Sequence, residues 1–360
     1  MIYLDANASE PLRPAARAAM AQALDVTGNP SSIHAAGRAA RRLLEDCRER
    51  VARRFGAAAA GTVFTSGGTE ADALAIHALG HGRRLLIGAT EHDAIRAAAP
   101  GAQTLPVDAQ GVIDLAALRA ALQGGSPALV CVMLANNETG TLQPIAEVAA
   151  LCVAADALLH VDAAQAAGRM AVSLQWLGAD SMAVSAHKLG GPAGTGALLL
   201  APGTAWRVLP LIAGGGQERG WRGGTQALPA IVGFAAALSD DAPDLTPLRD
   251  RIEAACVAMG AMVIGGGAAR LGNTACIAWP GVAAQTQVMA LDLAGCAVSA
   301  GAACSSGKVA RSHVLDAMGL GALAAEAIRV SLPWNASAAD ADGFIAAYGN
   351  MASRLARRAA

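Results

Sequence analysis

Short apolar runs alternate with longer segments in which apolar residues recur at helical spacing through the first two thirds of the chain. The short runs predict strands at 63–65, 85–87, 129–133, 158–161, 181–184 and 196–200. The longer segments predict helices at 35–55, 70–79, 115–122, 145–155 and 227–238. Strands that alternate with helices in this way are typical of an α/β fold with a mostly parallel sheet.

A polar run that contains a proline interrupts the alternation at residues 239–244, and we place a domain boundary there. Beyond it the pattern predicts a smaller α+β unit with a helix at 246–259 and a closing helix from Ser337. Its short strands are predicted at 262–264, 274–278, 297–298 and 328–332. A length of 360 residues agrees with two domains.

Charge and cysteine content narrow the range of functions. A net charge of −1 provides no basic field, and the arginines of residues 38–54 interleave with acids as on a salt-bridged helix face, so we expect no nucleic-acid partner. No run of about 18 uncharged apolar residues occurs, so we expect no membrane span and a cytoplasmic protein. The seven cysteines have neither CxxC nor metal-ligand spacing, which indicates reduced thiols and no metal site.

Lysine is rare in this chain, because Lys188 and Lys308 stand against 25 arginines. A guanidinium stays protonated and cannot form an imine, whereas a desolvated lysine amine can lose its proton and attack a carbonyl. Lys188 is therefore a candidate nucleophile. The count alone agrees equally well with an ordinary surface cation.

Polar loops follow the predicted strands, and in an open α/β sheet such loops meet at one edge. Thr65–Glu70 places two glycines and a hydroxyl before a helix, as an anion site does. His92, Asp162 and Lys188 follow later strands. Taken singly, Thr69 and Asp162 could be helix caps and His92 a hydrogen-bonded loop residue. In this order they match what pyridoxal phosphate requires: a phosphate site, an acid for the ring nitrogen and an amine.

These motifs resemble the NifS/IscS-like cysteine desulfurases of the class-V aminotransferase group, in particular the subgroup with a short catalytic loop. The resemblance implies the pyridoxal-phosphate-dependent transferase fold type I. That fold has a large domain with a mostly parallel seven-stranded sheet, here residues 12–244, and a smaller α+β domain, here residues 1–11 and 245–360. The motifs that carry the resemblance are at 3–8, 28–38, 65–70, 91–92, 136–140, 160–165, 185–188, 214–220, 222–225, 298–308, 312–315 and 328–332.

The resemblance also implies a role for each cofactor residue. Lys188 would form the Schiff base with pyridoxal phosphate and shuttle protons, Asp162 would pair with the ring nitrogen and Gln165 with the ring oxygen. His92 would stack on the ring as a further catalytic residue. The phosphate would be held by four residues of this subunit and one from the other subunit of a homodimer: Gly68, Thr69, Ser185 and His187, joined by Thr225.

For the substrate, the resemblance implies that Asn137 and Arg329 hold the carboxylate of L-cysteine and that Cys304 is the nucleophile. Glycines and small residues surround Cys304, and Lys308 is close enough in sequence to favour its thiolate, whereas the other six cysteines lie in apolar runs and are predicted to be inert core thiols. The products would be L-alanine and a Cys304 persulfide, passed to an iron–sulfur scaffold or another sulfur acceptor. The alternatives are a selenocysteine lyase or another β-lyase of this fold, and a cofactor-bearing docking subunit that is inactive without its partner.

The chain departs from the usual motifs of the family at four positions. Gln217 stands where histidine is usual and Gly223 where serine is usual. Arg311 replaces a proline and Pro333 a glycine. None of these changes alters a group to which the resemblance gives a chemical role.

Overall fold

The computed structural model describes residues 1–125, 127–202, 209–238, 243–301 and 311–359. The strands are β1 (Ile2–Tyr3), β2 (Thr62–Thr65), β3 (Arg84–Gly88), β4 (Gln103–Leu105), β5 (Ala128–Met133), β6 (Leu158–Asp162), β7 (Ser181–Ser185), β8 (Gly196–Leu200), β9 (Met262–Ile264), β10 (Thr274–Ala278), β11 (Cys296–Ala297), β12 (Ser299–Ala300) and β13 (Ala327–Ser331). The α-helices are α1 (Pro14–Leu24), α2 (Ala35–Arg54), α3 (Gly68–Leu79), α4 (Asp93–Ala98), α5 (Leu115–Leu122), α6 (Ile145–Ala154), α7 (Leu174–Leu177), α8 (Leu228–Ala237), α9 (Thr246–Ala258), α10 (Ala284–Leu293), α11 (His313–Ala317) and α12 (Ala338–Ala359).

The large sheet has seven strands in the order β2-β8-β7-β6-β5-β3-β4. Strands β4, β3, β5, β6 and β7 are parallel, and β8 runs antiparallel to both of its neighbours. The predicted mostly parallel α/β sheet is therefore confirmed. The carboxyl ends of β5, β6 and β7 lie at the same edge of the sheet, because the three strands run in the same direction.

Strand β5 shows why the strands of this sheet are almost wholly apolar. Val130 and Val132 pack into one hydrophobic cluster, while Leu129 and Cys131 pack into another that contains residues of α3 and α4. Successive side chains of a strand point to opposite faces, so helices cover both faces of the sheet. Every position of β5 is buried as a result.

The second unit contains a four-stranded antiparallel sheet in the order β12-β13-β10-β9 and a two-stranded parallel sheet of β1 and β11. Its core includes Leu4, Ile252, Phe344 and Tyr348, so the first residues of the chain pack with its last helices. The bounds 12–244 for one domain and 1–11 with 245–360 for the other stay a prediction. Residues 239–242 of the predicted boundary lie outside the described residues.

Some local predictions were wrong or incomplete. The strand predicted at 297–298 is two strands, β11 and β12, which lie in different sheets, and Val298 between them belongs to neither because the chain crosses from one sheet to the other. Helices α1 and α10 were not predicted. Helix α1 buries only two small residues, Ala16 and Ala23, and α10 buries a glutamine, Gln287, so neither has a strong apolar stripe.

Candidate active site

A cavity of about 280 Å³ lies at the edge of the large sheet where β6 and β7 end and α3 begins. It brings together nine of the residues that the sequence singled out: Gly68, Thr69, His92, Asn137, Asp162, Gln165, Ser185, His187 and Lys188. Asp72, Met133 and Ala164 complete the lining. Loops that are far apart in sequence therefore meet at one site, as expected for the carboxyl edge of a parallel sheet.

One end of the cavity is built by the loop between β2 and α3. Gly67 has φ +152° and ψ −177°, a conformation that essentially only glycine adopts, and it precedes the first residue of α3. Helix α3 therefore begins at Gly68, two residues earlier than predicted, and Thr69 lies in its first turn rather than capping it. The unpaired N–H groups of a helix start and the helix dipole favour an anion at this end.

Glu70 fixes that loop. Its Oε2 accepts hydrogen bonds from the Ser66 backbone N–H (2.7 Å) and the Ser66 hydroxyl (2.5 Å), and Arg222 Nε donates to its Oε1 (2.8 Å). These bonds hold the pKa of Glu70 below its usual value despite burial. The anion end is therefore held in one geometry by contacts within and close to the loop.

Lys188 ends a 3₁₀ turn, Ala186–Lys188, that directly follows β7. Its Nζ donates hydrogen bonds to the backbone oxygens of Asn7 and Ala8, the latter at 3.1 Å. Burial lowers the pKa of this amine to about 8, and the guanidinium groups of Arg169 and Arg329 act in the same direction. Lys188 is thus a partly buried amine that can lose its proton near neutral pH, not an ordinary surface cation.

Asp162 is the last residue of β6, and its Oδ1 accepts a hydrogen bond from the Ala164 N–H at 2.8 Å. It therefore caps the turn that follows, as the simpler interpretation held, and it lines the cavity as well. Burial raises the pKa of Asp162, whereas His92 and Lys188 lower it. The carboxyl group is ready to share a proton with a basic partner.

Asp72 is a second carboxyl group in the cavity that the sequence did not single out. Its Oδ1 lies 3.1 Å from His160 Nε2, and His160 Nδ1 lies 2.8 Å from Ser181 Oγ. Burial lowers the pKa of His160 to about 3 and raises the pKa of Asp72 well above its usual value. Both shifts favour the neutral forms of the two groups.

His92 has two structural tasks. Its Nδ1 accepts a hydrogen bond from the Ala94 N–H at 3.1 Å, which caps the start of α4. The same side chain also lines the cavity. His92 is therefore both a hydrogen-bonded loop residue and a residue that lines the cavity.

Arg329 lies on β13 and is not among the residues that line the cavity, but its guanidinium contacts Asn137, which is. Its Nη1 donates to the Asn137 backbone oxygen (3.1 Å), and its Nη2 forms an ion pair with Asp5 Oδ1 (2.7 Å). The Arg329 side chain is 5% exposed, and its Nε is buried without a hydrogen-bond partner. The pair with Asp5 holds the guanidinium beside Asn137.

The segment Asp5–Glu10 is the part of the site that sequence reasoning missed. Besides holding Lys188, its Asn7 carbonyl accepts a hydrogen bond from Gln165 Nε2 at 3.0 Å, and Glu10 N donates to the His187 oxygen at 2.8 Å. The motif at 3–8 contributed to the resemblance but carried no assigned role. Its only signal was a run of polar and small residues after the first strand.

Two of the predicted site residues that the structure describes, Arg329 and Thr225, are not among the residues that line this cavity. Thr225 is exposed and is not among its lining residues. Cys304 and the neighbouring Lys308 lie outside the described residues. The other six cysteines are buried and unbridged, as predicted, and burial raises the pKa of Cys47 to about 11 and of Cys152 to about 12.

Local contacts account for two of the departures from the family motifs. Gln217 Oε1 accepts a hydrogen bond from the Gly224 N–H at 3.0 Å. A Cβ atom at Gly223 would lie 2.3 Å from the Gly214 oxygen, so a serine there requires a different path for this loop. Arg311 pairs with Asp316 at 2.7 Å, and nothing in the structure explains Pro333.

Comparison with known proteins identifies the family. The class-V aminotransferase family matches residues 2–344. The chain belongs to the class-V aminotransferases. Among them it is similar to a cysteine desulfurase of Cereibacter sphaeroides, with 43% identity over 95% of this chain and 93% of the relative. It is also similar to an IscS-like cysteine desulfurase of Mycobacterium tuberculosis, with 38% identity over 100% of this chain and 98% of the relative.

Two solved structures have a similar fold. A NifS-like protein of Rickettsia africae superposes with a TM-score of 0.89, at 33% identity over 98% of this chain and 99% of that one. SspA in complex with cysteine superposes with a TM-score of 0.83, at 29% identity over 92% of this chain and 99% of that one. The resemblance to NifS/IscS-like cysteine desulfurases and the fold type are therefore confirmed. Among the described residues, no helix is long and apolar enough to span a bilayer.

Proposed function

We propose that this protein is a pyridoxal-phosphate-dependent cysteine desulfurase that converts L-cysteine into L-alanine and leaves the sulfur on Cys304 as a persulfide. One observation carries the proposal: a low-pKa lysine, a strand-end carboxyl group and an anion-binding helix start line a single cavity. The proposal is supported by relatives of 38–43% identity that are named cysteine desulfurases. The names of these relatives indicate the substrate, which the cavity does not.

The side chains of the cavity fit pyridoxal phosphate. The start of α3, with Thr69, and the hydroxyl of Ser185 suit the phosphate. Asp162 offers a carboxyl group for the ring nitrogen, and Gln165 an amide for the ring oxygen. When bound, the cofactor supplies an aldehyde for amines and a ring that takes up the electron pair left by a departing proton.

Lys188 would hold the cofactor and then move the substrate proton. A pKa of about 8 leaves a useful fraction of its amine neutral at pH 7–8, and its Nζ is kept in place by the carbonyls of Asn7 and Ala8. The same amine can accept the Cα proton of L-cysteine and return a proton to the product. Burial raises the pKa of Asp162, and a positive ring nitrogen facing the carboxyl group would favour its charged form.

Arg329 and Asn137 would bind the substrate carboxylate. Among the described residues, the guanidinium has a buried Nε without a hydrogen-bond partner and forms an ion pair with Asp5. A second carboxylate can therefore share this cation in a paired geometry. His92, whose ring lines the cavity, would stack on the cofactor ring.

Cys304 would take the sulfur as a thiolate. Its sulfur forms the new S–S bond while the substrate Cβ–S bond breaks, so L-cysteine and the Cys304 thiol give L-alanine and a Cys304 persulfide with no outside oxidant. Lys308, four residues on, favours the thiolate electrostatically. The persulfide sulfur would pass to an iron–sulfur scaffold or another acceptor in the cytoplasm.

A homodimer would complete the phosphate site. Thr225 is exposed in the single chain, so its hydroxyl is available to the cavity of a second copy. The oligomeric state and the pairing of Thr225 with that site are both part of the proposal.

The test is turnover of the purified, cofactor-loaded protein with L-cysteine and a reductant. Alanine and sulfide are measured for the wild type, Lys188→Ala and Cys304→Ser, and we expect both products from the wild type alone. Unchanged alanine release by Cys304→Ser would exclude the persulfide route and favour a β-lyase or a selenocysteine lyase. A wild type that is inactive until an acceptor protein is added would favour a docking subunit.

A further inference from the structure

Arg169 lies behind the cofactor cavity and does not line it. It sits in the turn after Gln165, and its side chain is 6% exposed. Its Nη1 donates hydrogen bonds to the Gln165 backbone oxygen (2.9 Å) and to the Gln165 side-chain Oε1. Its Nη2 donates to the Ala6 oxygen (3.1 Å) and approaches Glu10 Oε1 (3.5 Å).

These contacts determine the orientation of the Gln165 amide. A guanidinium has only donors, so the group that meets Arg169 must be the amide oxygen. The amide NH₂ then points the other way, where it donates to the Asn7 carbonyl at 3.0 Å. A flipped amide would set donor against donor at Arg169 and acceptor against acceptor at Asn7, so the two partners together exclude it.

Arg169 also holds the N-terminal segment that receives Lys188. Its bond to the Ala6 oxygen and its ion pair with Glu10 bracket Asn7 and Ala8, whose carbonyls accept from Lys188 Nζ. Glu10 is nearly buried, so this pair is shielded from water. One guanidinium therefore bonds to the Gln165 side chain, which donates to the Asn7 carbonyl, and also to the segment that contains Asn7.

We propose that Arg169 is a positioning residue for the cofactor, which fixes the Gln165 amide with its NH₂ toward the Asn7 carbonyl and holds residues 6–10 against Lys188. This inference rests on the proposed function, because the amide donor is useful only to an acceptor such as the ring oxygen. The positive charge of Arg169 adds to burial in lowering the pKa of Lys188. Asp162 and Asp5 act on that amine in the opposite direction, and Arg329 in the same direction.

A double-mutant cycle separates this role from a general structural one. The affinity of the apoprotein for pyridoxal phosphate is measured by fluorescence titration for the wild type, R169M, Q165M and the double variant. We expect R169M to weaken binding about tenfold in the wild-type background and less than about threefold when Q165M is already present, since Arg169 then has no amide to orient.

Arg249 is the matched control. It is also a buried arginine that donates to a backbone oxygen, that of Leu271 at 2.8 Å, but it belongs to α9 and does not touch the cavity. We expect R249M to lower the melting temperature of the apoprotein without changing cofactor affinity. If R169M does not fold, R169K replaces it in the cycle, because an ammonium keeps the charge and loses the paired donors.

Equal losses of affinity with and without Q165M would overturn the proposal that Arg169 orients the Gln165 amide, and no loss on changing Arg169 would overturn its positioning role altogether. Those results are distinct from failure of the proposed function. A wild-type protein that binds no pyridoxal phosphate, or that binds it and releases no alanine from L-cysteine, would overturn the function whatever the cycle shows.

Discussion

The two ends of the cavity are built in different ways. At the anion end the fixing contacts stay among residues 66–222: Ser66 and Glu70, which form its shortest hydrogen bond, are four residues apart, and Arg222 adds a bond to Glu70. At the substrate end the ion pair of Asp5 with Arg329 joins residues 324 positions apart, and the carbonyls that hold Lys188 come from the start of the chain. The anion end thus forms with the large sheet, whereas the substrate end requires both units in place.

The largest effect is expected at the substrate end, from Arg329→Ala. We expect kcat/KM for L-cysteine to fall about 100- to 1,000-fold, since removing one partner of a buried charge pair costs about 2–5 kcal/mol. Steady-state alanine release measures this. The control is Asp5→Asn combined with Arg329→Ala, which leaves no unpaired carboxylate. Recovery of activity in that double variant would mean that Arg329 only neutralises Asp5.

A substitution of Gly67 should affect the anion end of the cavity and leave the substrate end unchanged. Gly67→Ala forces a β-carbon into a conformation of φ +152°, and we expect a loss of about 1–3 kcal/mol in the free energy of unfolding together with weaker cofactor binding. Urea denaturation and cofactor titration measure the two. Gly82→Ala, at φ +72° in an open turn, should lower stability but leave cofactor affinity unchanged. Equal loss of affinity in both variants would contradict a local anion site.

The pH dependence of cofactor uptake tests the lowered pKa of the Lys188 amine. Burial lowers the pKa of Lys188 from 10.5 to about 8, so its neutral fraction increases with pH and levels off above that value. We expect the rate at which the apoprotein takes up pyridoxal phosphate to fall about tenfold per pH unit below 8. Stopped-flow absorbance measures it. A rate that keeps rising to pH 10 would show an unshifted lysine.

The smallest effect is expected at Arg311, one of the departures from the family motifs. Its ion pair with Asp316 is exposed at 52% and 39% of the two side chains. We expect Arg311→Ala to change the free energy of unfolding by less than about 1 kcal/mol, measured by urea denaturation. A larger loss would mean that this exposed pair supports the structure beyond its own contact.

The order of strands and loops along the sequence predicted the site residues that follow the strands of the large sheet better than those at the substrate end. Asp162 and Lys188 could be predicted because parallel strands carry the loops after them to one edge, so chain order alone brings the residues together. Asp5, Asn7 and Arg169 could not, because their contacts with Arg329, Gln165 and Ala6 join residues 158 to 324 positions apart and no periodic signal links them. Asp72 was missed because, in sequence, it is one more polar residue of a helix.

The central claim is that Lys188, in this cavity, is the residue that binds pyridoxal phosphate. The scarcity of lysine makes a direct measurement possible, since Lys308 and the amino terminus are the only other amines of the chain. The cofactor-loaded protein is reduced with borohydride, digested and mapped by mass spectrometry. The account predicts a phosphopyridoxyl group on the peptide that contains Lys188, and a label on Lys308, on the amino terminus or on no peptide would contradict it.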